Sequence, residues 1–339
     1  MELKTLFSVR NSYSNDKCYK VICILGIKFS FRNKKKEKEK EVKYYKFKIC
    51  PVEKRLEMLK EWYFNRMGET LELENPQTFN EKIQWLKLYD STPLKTRLAD
   101  KYLVRDWIKE KIGEEYLIPL LGVWDKFEDI DFNNLPNQFV LKCNHGCGYN
   151  IIVKDKTKLD LNDVKSKINK WMNEDYSFKC GFEMHYSAIP RKIIAEKYIG
   201  KENQEMIDYK LWCFGGKVHF IQYLTDRNIG LKVAFFNTDW EKQDFAYSYP
   251  IIETEIKKPD CLDKMIHLAE ILSKDFNYVR VDFYITPDNE IKFGEMTFTP
   301  ASGLTKISPN KLSYELGSLI KLSNIEKLGK LSDLPERRI

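Results

Sequence analysis

Asp282 and Glu295 carry the strongest chemical signal in this sequence. They lie in V-R-V-D-F-Y-I-T-P-D-N-E-I-K-F-G-E-M-T-F-T-P, residues 279–300. Val279, Val281, Phe283 and Ile285 alternate with Arg280, Asp282 and Tyr284, the period of a half-buried strand. Thr286-Pro287-Asp288-Asn289 is turn chemistry, and Ile291, Phe293, Met296 and Phe298 form a return arm. A register centred between Asp288 and Asn289 sets Asp282 opposite Glu295 and Arg280 opposite Thr297. Like charges directly opposed on a sheet face are destabilising, and a bound divalent cation reverses that sign. Two neighbouring carboxylates are what Mg²⁺ carrying a nucleotide phosphate chain takes. The plainer alternative is an exposed pair of strand acids screened by solvent. A bulge shifting the register by one residue would put the acids on opposite faces.

Other groups of chemical interest precede the hairpin. Lys142 ends the strand-like run 138–142, directly before the glycine turn Asn144-His145-Gly146-Cys147-Gly148, and 150–153 reads as a return strand. Such a turn offers backbone N–H groups to phosphates, with a lysine as a point charge beside them. The P-loop spacing is absent, and a strand rather than a helix follows, unlike the dinucleotide-binding fingerprint. Cys143, His145 and Cys147 form a C-x-H-x-C cluster, three ligands where structural zinc needs four. Cys180 and His185 offer a thiol–imidazole pair with no triad spacing to support it. Asp100-Lys101, Glu196 and Lys210 are ordinary charges taken singly; their order along the chain is what distinguishes them.

The elements that must position these groups follow from periodicity. Helical spacing runs over 53–70, from a turn at Asn75-Pro76 into a helix bearing Ile83, Trp85, Leu86 and Leu88, and from Leu94 to about Lys111. Tyr116–Pro119 and Leu120–Trp124 read as short strands, followed by a smaller α/β unit over 138–200 with a helix at 161–171 and a strand at 192–199. Strands dominate from 207, with a Gly215-Gly216 hairpin turn. A helix over 261–276 precedes the carboxylate hairpin, and 310–330 reads as a closing helix.

The chain of 339 residues is long enough for two or three domains. Its net charge of +7 is uneven: residues 1–60 hold 17 Lys/Arg against 7 Asp/Glu, while the remainder is slightly acidic. That argues against a nucleic-acid binder. The run 34–41, Lys-Lys-Lys-Glu-Lys-Glu-Lys-Glu, is a solvated segment, a simple tether or an arm for an anionic membrane surface or a partner. Eight cysteines without a repeated spacing read as reduced thiols in the cytoplasm, and neither a secretory signal nor a membrane-length apolar run is seen.

The order Asp100-Lys101, Lys142 with its glycine turn, Glu196-Lys197-Tyr198-Ile199, Lys210, Asp282, Glu295 resembles the ATP-grasp superfamily, and most closely its teichuronopeptide-biosynthesis (TupA-like) branch. The segments that carry the resemblance are N-P-Q-T-F-N-E-K-I-Q-W-L-K-L at 75–88, L-A-D-K-Y-x-V-R at 98–105, F-V-L-K-C-N-H-G-C-G-Y-N-I-I-V at 139–153, I-I-A-E-K-Y-I at 193–199, D-Y-K-L-W-C-F-G-G-K at 208–217 and F-G-E-M-T-F-T-P-A-S-G at 293–303. The resemblance implies an α+β fold of ATP-grasp architecture, with a small α/β nucleotide lid and a larger mixed-sheet domain. The expected division is a basic N-terminal extension over 1–60, a helical α/β region over 61–137, the lid over 138–200 and the main sheet over 201–330.

It also implies roles. Lys101 and Lys142 would contact ATP phosphates under a loop containing Gly146 and Gly148. Glu196, Lys197 and Ile199 would frame the adenine, partly through the main chain. Lys210 and Arg280 would act on the transferring phosphoryl group, and Asp282, Glu295 and Thr297 would hold Mg²⁺. Thr297 departs from the family's usual asparagine. The implied activity is a carboxylate–amine ligase acting through an acyl phosphate on a sugar carboxylate of a capsule or other surface polysaccharide, in the cytoplasm or at the inner membrane face. Capsule-assembly proteins are candidate partners of the arm, and the acceptor pocket is expected to be lined partly by 180–190 and 224–240, where Asp226, Arg227 and Trp240 lie. The rivals are a glycosyltransferase of the same pathway and a non-catalytic ATP-binding adaptor.

Overall fold

The computed structural model describes residues 7–14, 17–24, 27–200, 207–225, 232–247 and 249–322. The first three strands, β1 (Phe7–Ser14), β2 (Lys17–Ile24) and β3 (Ile27–Arg32), pair antiparallel in chain order. The charged run after them is helical: α1 (Lys34–Lys48) is N-capped by the Asn33 side chain. Phe47 fastens α1 to the body, its ring edge-on to Trp62 at 5.4 Å and to Phe182 at 5.0 Å. α2 (Arg55–Met67) follows and stops at the left-handed Gly68. Thr78 and Glu81 then form a capping box that starts α3 (Phe79–Tyr89).

The helix expected from Leu94 to Lys111 is two helices, α4 (Pro93–Ala99) and α5 (Val104–Lys111). The break is chemical. Asp100 Oδ1 accepts from the backbone N–H groups of Tyr102 and Leu103, at 2.7 and 3.2 Å, replacing helix bonds with a local cap. Lys101 N–H meanwhile donates to the Asn144 carbonyl at 3.1 Å. Tyr116–Pro119 is not a strand either, since Glu114–Tyr116 forms one 3₁₀ turn.

A four-stranded antiparallel sheet follows, with β4 (Leu120–Trp124), β5 (Phe139–Cys143), β6 (Asn150–Val153) and β7 (Ile193–Lys197) in the order β4-β7-β5-β6. α6 (Leu161–Asn173), capped by Asp160, buries Val164, Ile168 and Trp171 in the core that includes Phe139, Leu141 and Ile193.

The larger sheet has the order β11-β10-β9-β8-β13-β14, from β8 (Asp208–Phe214), β9 (Lys217–Thr225), β10 (Lys232–Phe236), β11 (Lys242–Gln243), β13 (Tyr278–Ile285) and β14 (Ile291–Thr297). A mixed sheet was the expectation. Among the described residues the sheet's strand pairs are antiparallel, and one isolated bridge, Val233–Ile251, is parallel. β12 (Ala246–Tyr247) and β15 (Ile307–Ser308) pair separately. α7 (Leu262–Ser273) shares a core with Leu211, Ile221, Val279, Val281 and Phe283. Trp212 and Tyr278 alternate to the other face, where Phe79 of α3 stacks on Trp212 at 5.4 Å. Period-2 alternation puts Lys210, Arg280 and Asp282 on that second face too. One end of the face is therefore apolar and covered by α3, and the other end is charged.

α8 (Asn310–Leu319) crosses α3 at Gly317, where an added Cβ would lie 2.1 Å from the Gln77 carbonyl oxygen. Helix propensity favours alanine there by about 1 kcal/mol, but backbone cannot yield that far. Gly317→Ala is expected to destabilise the protein by about 2–3 kcal/mol in urea unfolding; a stabilised variant would refute the close approach. Residues 323–330 of the expected closing helix lie outside the described residues. No helix among the described residues is long and apolar enough to cross a membrane.

Candidate active site

Asp282 pairs with Glu295, and Arg280 with Thr297, but by a different route from simple turn centring. Near the turn, Ile285 faces Ile291 and Phe283 faces Phe293. Continued without interruption, that register would set Asp282 against Gly294 and turn Glu295 to the opposite face. A shift between Asp282 and Phe283 restores the pair. Gly294 is the extra residue, and a Cβ on it would come within 3.0 Å of the Asp282 carbonyl oxygen. The bulge thus brings the two acids together rather than separating them.

The row extends to a third strand. Asp282 also pairs with Lys210 of β8, so Lys210, Asp282 and Glu295 stand side by side across three strands. Asp282 is 3% exposed and bound on both oxygens: Arg280 Nε donates to Oδ1 at 2.7 Å and Nη2 to Oδ2 at 2.8 Å, while Lys210 Nζ donates to Oδ2. Arg280 Nη2 also reaches Thr297 Oγ1 at 3.1 Å and Glu295 Oε1 at 3.4 Å, and Thr297 donates to Glu295 Oε1 at 3.2 Å. Burial alone would raise the Glu295 carboxyl, but Lys101, then Lys210 and Arg280, with the Thr297 hydroxyl, hold it at about 2. Arg280 is raised: burial works against its charge, and Asp282 more than compensates.

This donor set fits Mg²⁺. Of the roughly four acceptor positions of a carboxylate, Asp282 keeps one, and Glu295 Oε2 lies 3.8 Å from Lys101 Nζ. Two hard oxygen donors, leaving room for water and phosphate oxygens, are the usual protein share at a magnesium–nucleotide site. Among the described residues there is no group of three or more His, Cys, Asp or Glu that would make a metal cage.

Lys101 joins the two sheets. From the α4–α5 break its Nζ donates to the Gly146 carbonyl at 2.6 Å and approaches Glu295 at 3.8 Å. The loop it holds is closed by Cys143 N–H to the Tyr149 carbonyl, and Gly148 has φ 77°. Asn144 is the loop's buried anchor, donating to Asp100 Oδ1 at 2.9 Å and to the Pro190 carbonyl at 2.8 Å, and accepting from Lys192 N–H. The cysteines and histidine of the C-x-H-x-C run diverge. Cys143 is in the core, His145 Nε2 meets the Trp171 carbonyl at 3.0 Å, and Cys147 lies by Glu295, Lys101, Arg280 and Lys210. Cys147 is exposed as a residue, yet burial raises its thiol, so it is a neutral neighbour of the carboxylate row.

Lys142 and Glu196 are diagonal neighbours on paired strands, with Nζ to Oε2 at 2.5 Å, and Arg105 binds the other Glu196 oxygen at 3.1 Å. Glu196 is therefore engaged through its side chain. Lys197 is exposed, with its N–H bonded to the Pro119 carbonyl, and Ile199 is half-buried beyond the strand end. Trp240 does not line this region: it stacks on Phe236 at 4.0 Å and donates to the Ile256 carbonyl. Asp226 and Arg227 lie outside the described residues.

Sequence reasoning missed the support behind the carboxylate strand. Pro300–Gly303 makes a tight turn in which Ala301, Ser302 and Gly303 are all left-handed, with φ 47°, 57° and 65°. α3 holds that turn from one side by residues spaced i, i+4, i+7. Asn80 donates to the Thr305 carbonyl at 2.8 Å, Gln84 to the Ser302 and Gly303 carbonyls at 2.7 and 3.0 Å, and Lys87 to Ser302 Oγ at 2.9 Å and the Cys180 carbonyl at 3.1 Å. Glu183 accepts from the Thr299 hydroxyl. The available signal was a polar stripe of helical period inside a helix that also carries Ile83, Trp85, Leu86 and Leu88.

His185 belongs to this buried region and is no partner for a Cys180 nucleophile. Burial, then Lys95 and Lys87, lowers it to about 3, and burial raises the Cys180 thiol. Burial likewise lowers His145 to about 4. Both folded values lie below the unfolded value of about 6.5, so the unfolded chain takes up protons first as pH falls. Their contribution to stability is full above about pH 6.5. It is lost on acidification toward their folded values at up to about 1.4 kcal/mol per pH unit for each histidine. Urea unfolding at pH 7 and pH 5 checks this, and equal stability at both would contradict it.

A lysine-bearing glycine loop closing over a carboxylate hairpin between two antiparallel sheets is the layout of an ATP-grasp protein. The chain belongs to the TupA-like ATP-grasp family, whose family model matches residues 81–321. It is also similar to a D-alanine–D-alanine ligase of Vibrio parahaemolyticus serotype O3:K6, 27% identical over 120 residues, which cover 34% of each chain. The chain thus spans about a third of the length of that curated relative. Among solved structures, it is similar to the D-alanine–D-alanine ligase from Bacillus anthracis complexed with ATP, at TM-score 0.38 and 17% identity, covering 66% of this chain and 65% of the other. N5-carboxyaminoimidazole synthetase from Staphylococcus aureus complexed with ADP gives TM-score 0.38 and 16% identity, covering 59% of this chain and 44% of the other.

Proposed function

We propose that this protein is an ATP-dependent carboxylate–amine ligase that works through an acyl phosphate. The observation that carries the reading is the convergence of Lys101, Lys210 and Arg280, from three separate elements, on the adjacent acids Asp282 and Glu295. Phosphoryl transfer asks for positioning and charge neutralisation more than for a protein nucleophile. The family membership and the ligase relative support the same reading.

Asp282 and Glu295, with the Thr297 hydroxyl, would hold Mg²⁺, which neutralises phosphate charge when bound. Lys101 and Lys142 contact the phosphate chain beneath the loop containing Gly146 and Gly148. Glu196, Lys197 and Ile199 frame the adenine; because Lys142 and Arg105 occupy the Glu196 carboxylate, backbone groups serve there. Lys210 and Arg280 stabilise charge on the transferring phosphoryl group. A substrate carboxylate oxygen attacks the γ-phosphorus, the bond to the β,γ-bridging oxygen breaks, and ADP leaves. An amine then attacks the acyl carbon, loses a proton, and phosphate departs with its oxygen.

The carboxylate belongs to a uronic acid or related sugar acid of a surface-polysaccharide precursor, and the amine to an amino acid or small amine. A screen of ADP release crossing sugar acids with amino acids under Mg²⁺ tests this. With an ¹⁸O-labelled carboxylate, one label appears in the released phosphate. ADP release with unlabelled phosphate would rule out the acyl phosphate.

A further inference from the structure

We propose that the outward face of α1 docks the protein on an anionic membrane surface. The helix has apolar residues on two opposite faces. One is satisfied: Phe47 packs on Trp62 and Phe182, and the Tyr44 hydroxyl accepts from Asp175 N–H at 3.0 Å. The other is open, with Val42 47%, Tyr45 52% and Ile49 75% exposed. At 100° per residue these three fall within an arc of about 60°. Lys38 lies in the same arc. Lys34 and Lys48 flank it on one side, Lys35 and Lys46 on the other, and all five lysines are exposed without an ion pair among the described residues.

The helix carries eight lysines against Glu37, Glu39 and Glu41. Glu37 is turned to Arg32 and the Cys18 N–H, and Glu39 and Glu41 sit at the margins of the open face. A shallow, open groove of about 460 Å³ runs along that face, lined by Lys35, Lys38, Glu39, Val42, Lys43 and Lys46, and its walls are mainly apolar. Apolar side chains between lysine rows match a bilayer interface, where ammonium groups reach phosphates and the apolar groups enter the acyl boundary. A soluble polyanion would engage the lysines alone and leave Val42, Tyr45 and Ile49 in water.

Co-sedimentation of the full chain with lipid vesicles tests the proposal. Vesicles of phosphatidylcholine containing about 30% phosphatidylglycerol are expected to bind at least about tenfold more protein than pure phosphatidylcholine, an excess lost on raising salt from about 0.1 to 0.5 M. Combined Val42→Ser, Tyr45→Ser and Ile49→Ser substitution leaves charge unchanged and lowers binding about tenfold or more. Combined Lys35→Glu, Lys38→Glu and Lys46→Glu substitution abolishes it. All substituted positions are exposed, so melting temperature and ADP affinity stay at wild-type values. Equal binding to both vesicle types overturns the proposal. So does wild-type binding by the serine variant, which would mark a site for soluble polyanions. The assay needs no nucleotide turnover, so its failure is distinct from failure of the ligase reading.

Discussion

Asp282→Asn is expected to end magnesium-dependent ADP release and to destabilise the fold. Asp282 receives Arg280 through two parallel bonds and Lys210 through a third while nearly excluded from water. Asparagine keeps one acceptor oxygen and turns an NH₂ donor toward a guanidinium or an ammonium, leaving buried cations short of a partner. Removing one member of a buried ion pair costs about 3–5 kcal/mol. Turnover drops further, because the variant loses a candidate metal ligand and misplaces two cations aimed at the phosphoryl group. A fall of about 10²–10³-fold is the scale of such electrostatic groups. Urea unfolding and a coupled ADP assay with the substrates found by screening check both parts. A variant as stable and as active as wild type would contradict the assignment.

Lys87→Ala is expected to be as damaging, far from any phosphate. Lys87 is wholly buried, and its ammonium donates to Gln84 Oε1, the Cys180 carbonyl, and the carbonyl and hydroxyl of Ser302. Burial lowers its pKa and raises that of nearby Glu183, which partly offset each other's charge. Alanine removes the cation, opens a void and leaves Glu183 without its counter-charge. The turn it releases stores strain, since Ala301 and Ser302 sit at positive φ, a state costing about 1–3 kcal/mol per residue. The expected loss is about 3–5 kcal/mol in urea unfolding, with faster amide exchange over residues 299–305 than over β13. A loss below about 1 kcal/mol would show that Gln84 and Asn80 hold the turn unaided.

The sequence made the paired acids legible because alternation and turn residues are local signals. It did not show the bulge at Gly294, which depends on how two strands settle against each other and yet decides whether Glu295 faces Asp282. Nothing local to Lys210 marks it; its place in the row with Asp282 follows from β8 pairing with β13 across a long connection. The α4–α5 break was hidden because Ala99, Leu103 and Trp107 keep i, i+4, i+8 spacing through it, while the bonds that end α4 come partly from Asn144, distant in sequence. Lys87 and Gln84 are hidden for the same reason: polar residues in a helix read as solvent-facing unless the partner turn is known. Arg105 stood within a recognised segment, but its bond to Glu196 required β7 to lie beside α5.

On the proposed function, Asp282 and Glu295 bind a magnesium–nucleotide complex together with the surrounding cations. Calorimetric titration of ADP with and without Mg²⁺, on the wild-type chain and on Glu295→Gln, tests it without any acceptor substrate. Mg²⁺ is expected to tighten ADP binding at least about tenfold in the wild type, about 1.4 kcal/mol. In Glu295→Gln that gain disappears, while metal-free ADP binding persists through Lys101, Lys142 and Lys210. An unchanged magnesium effect in Glu295→Gln, or no ADP binding by the wild-type chain, would contradict it.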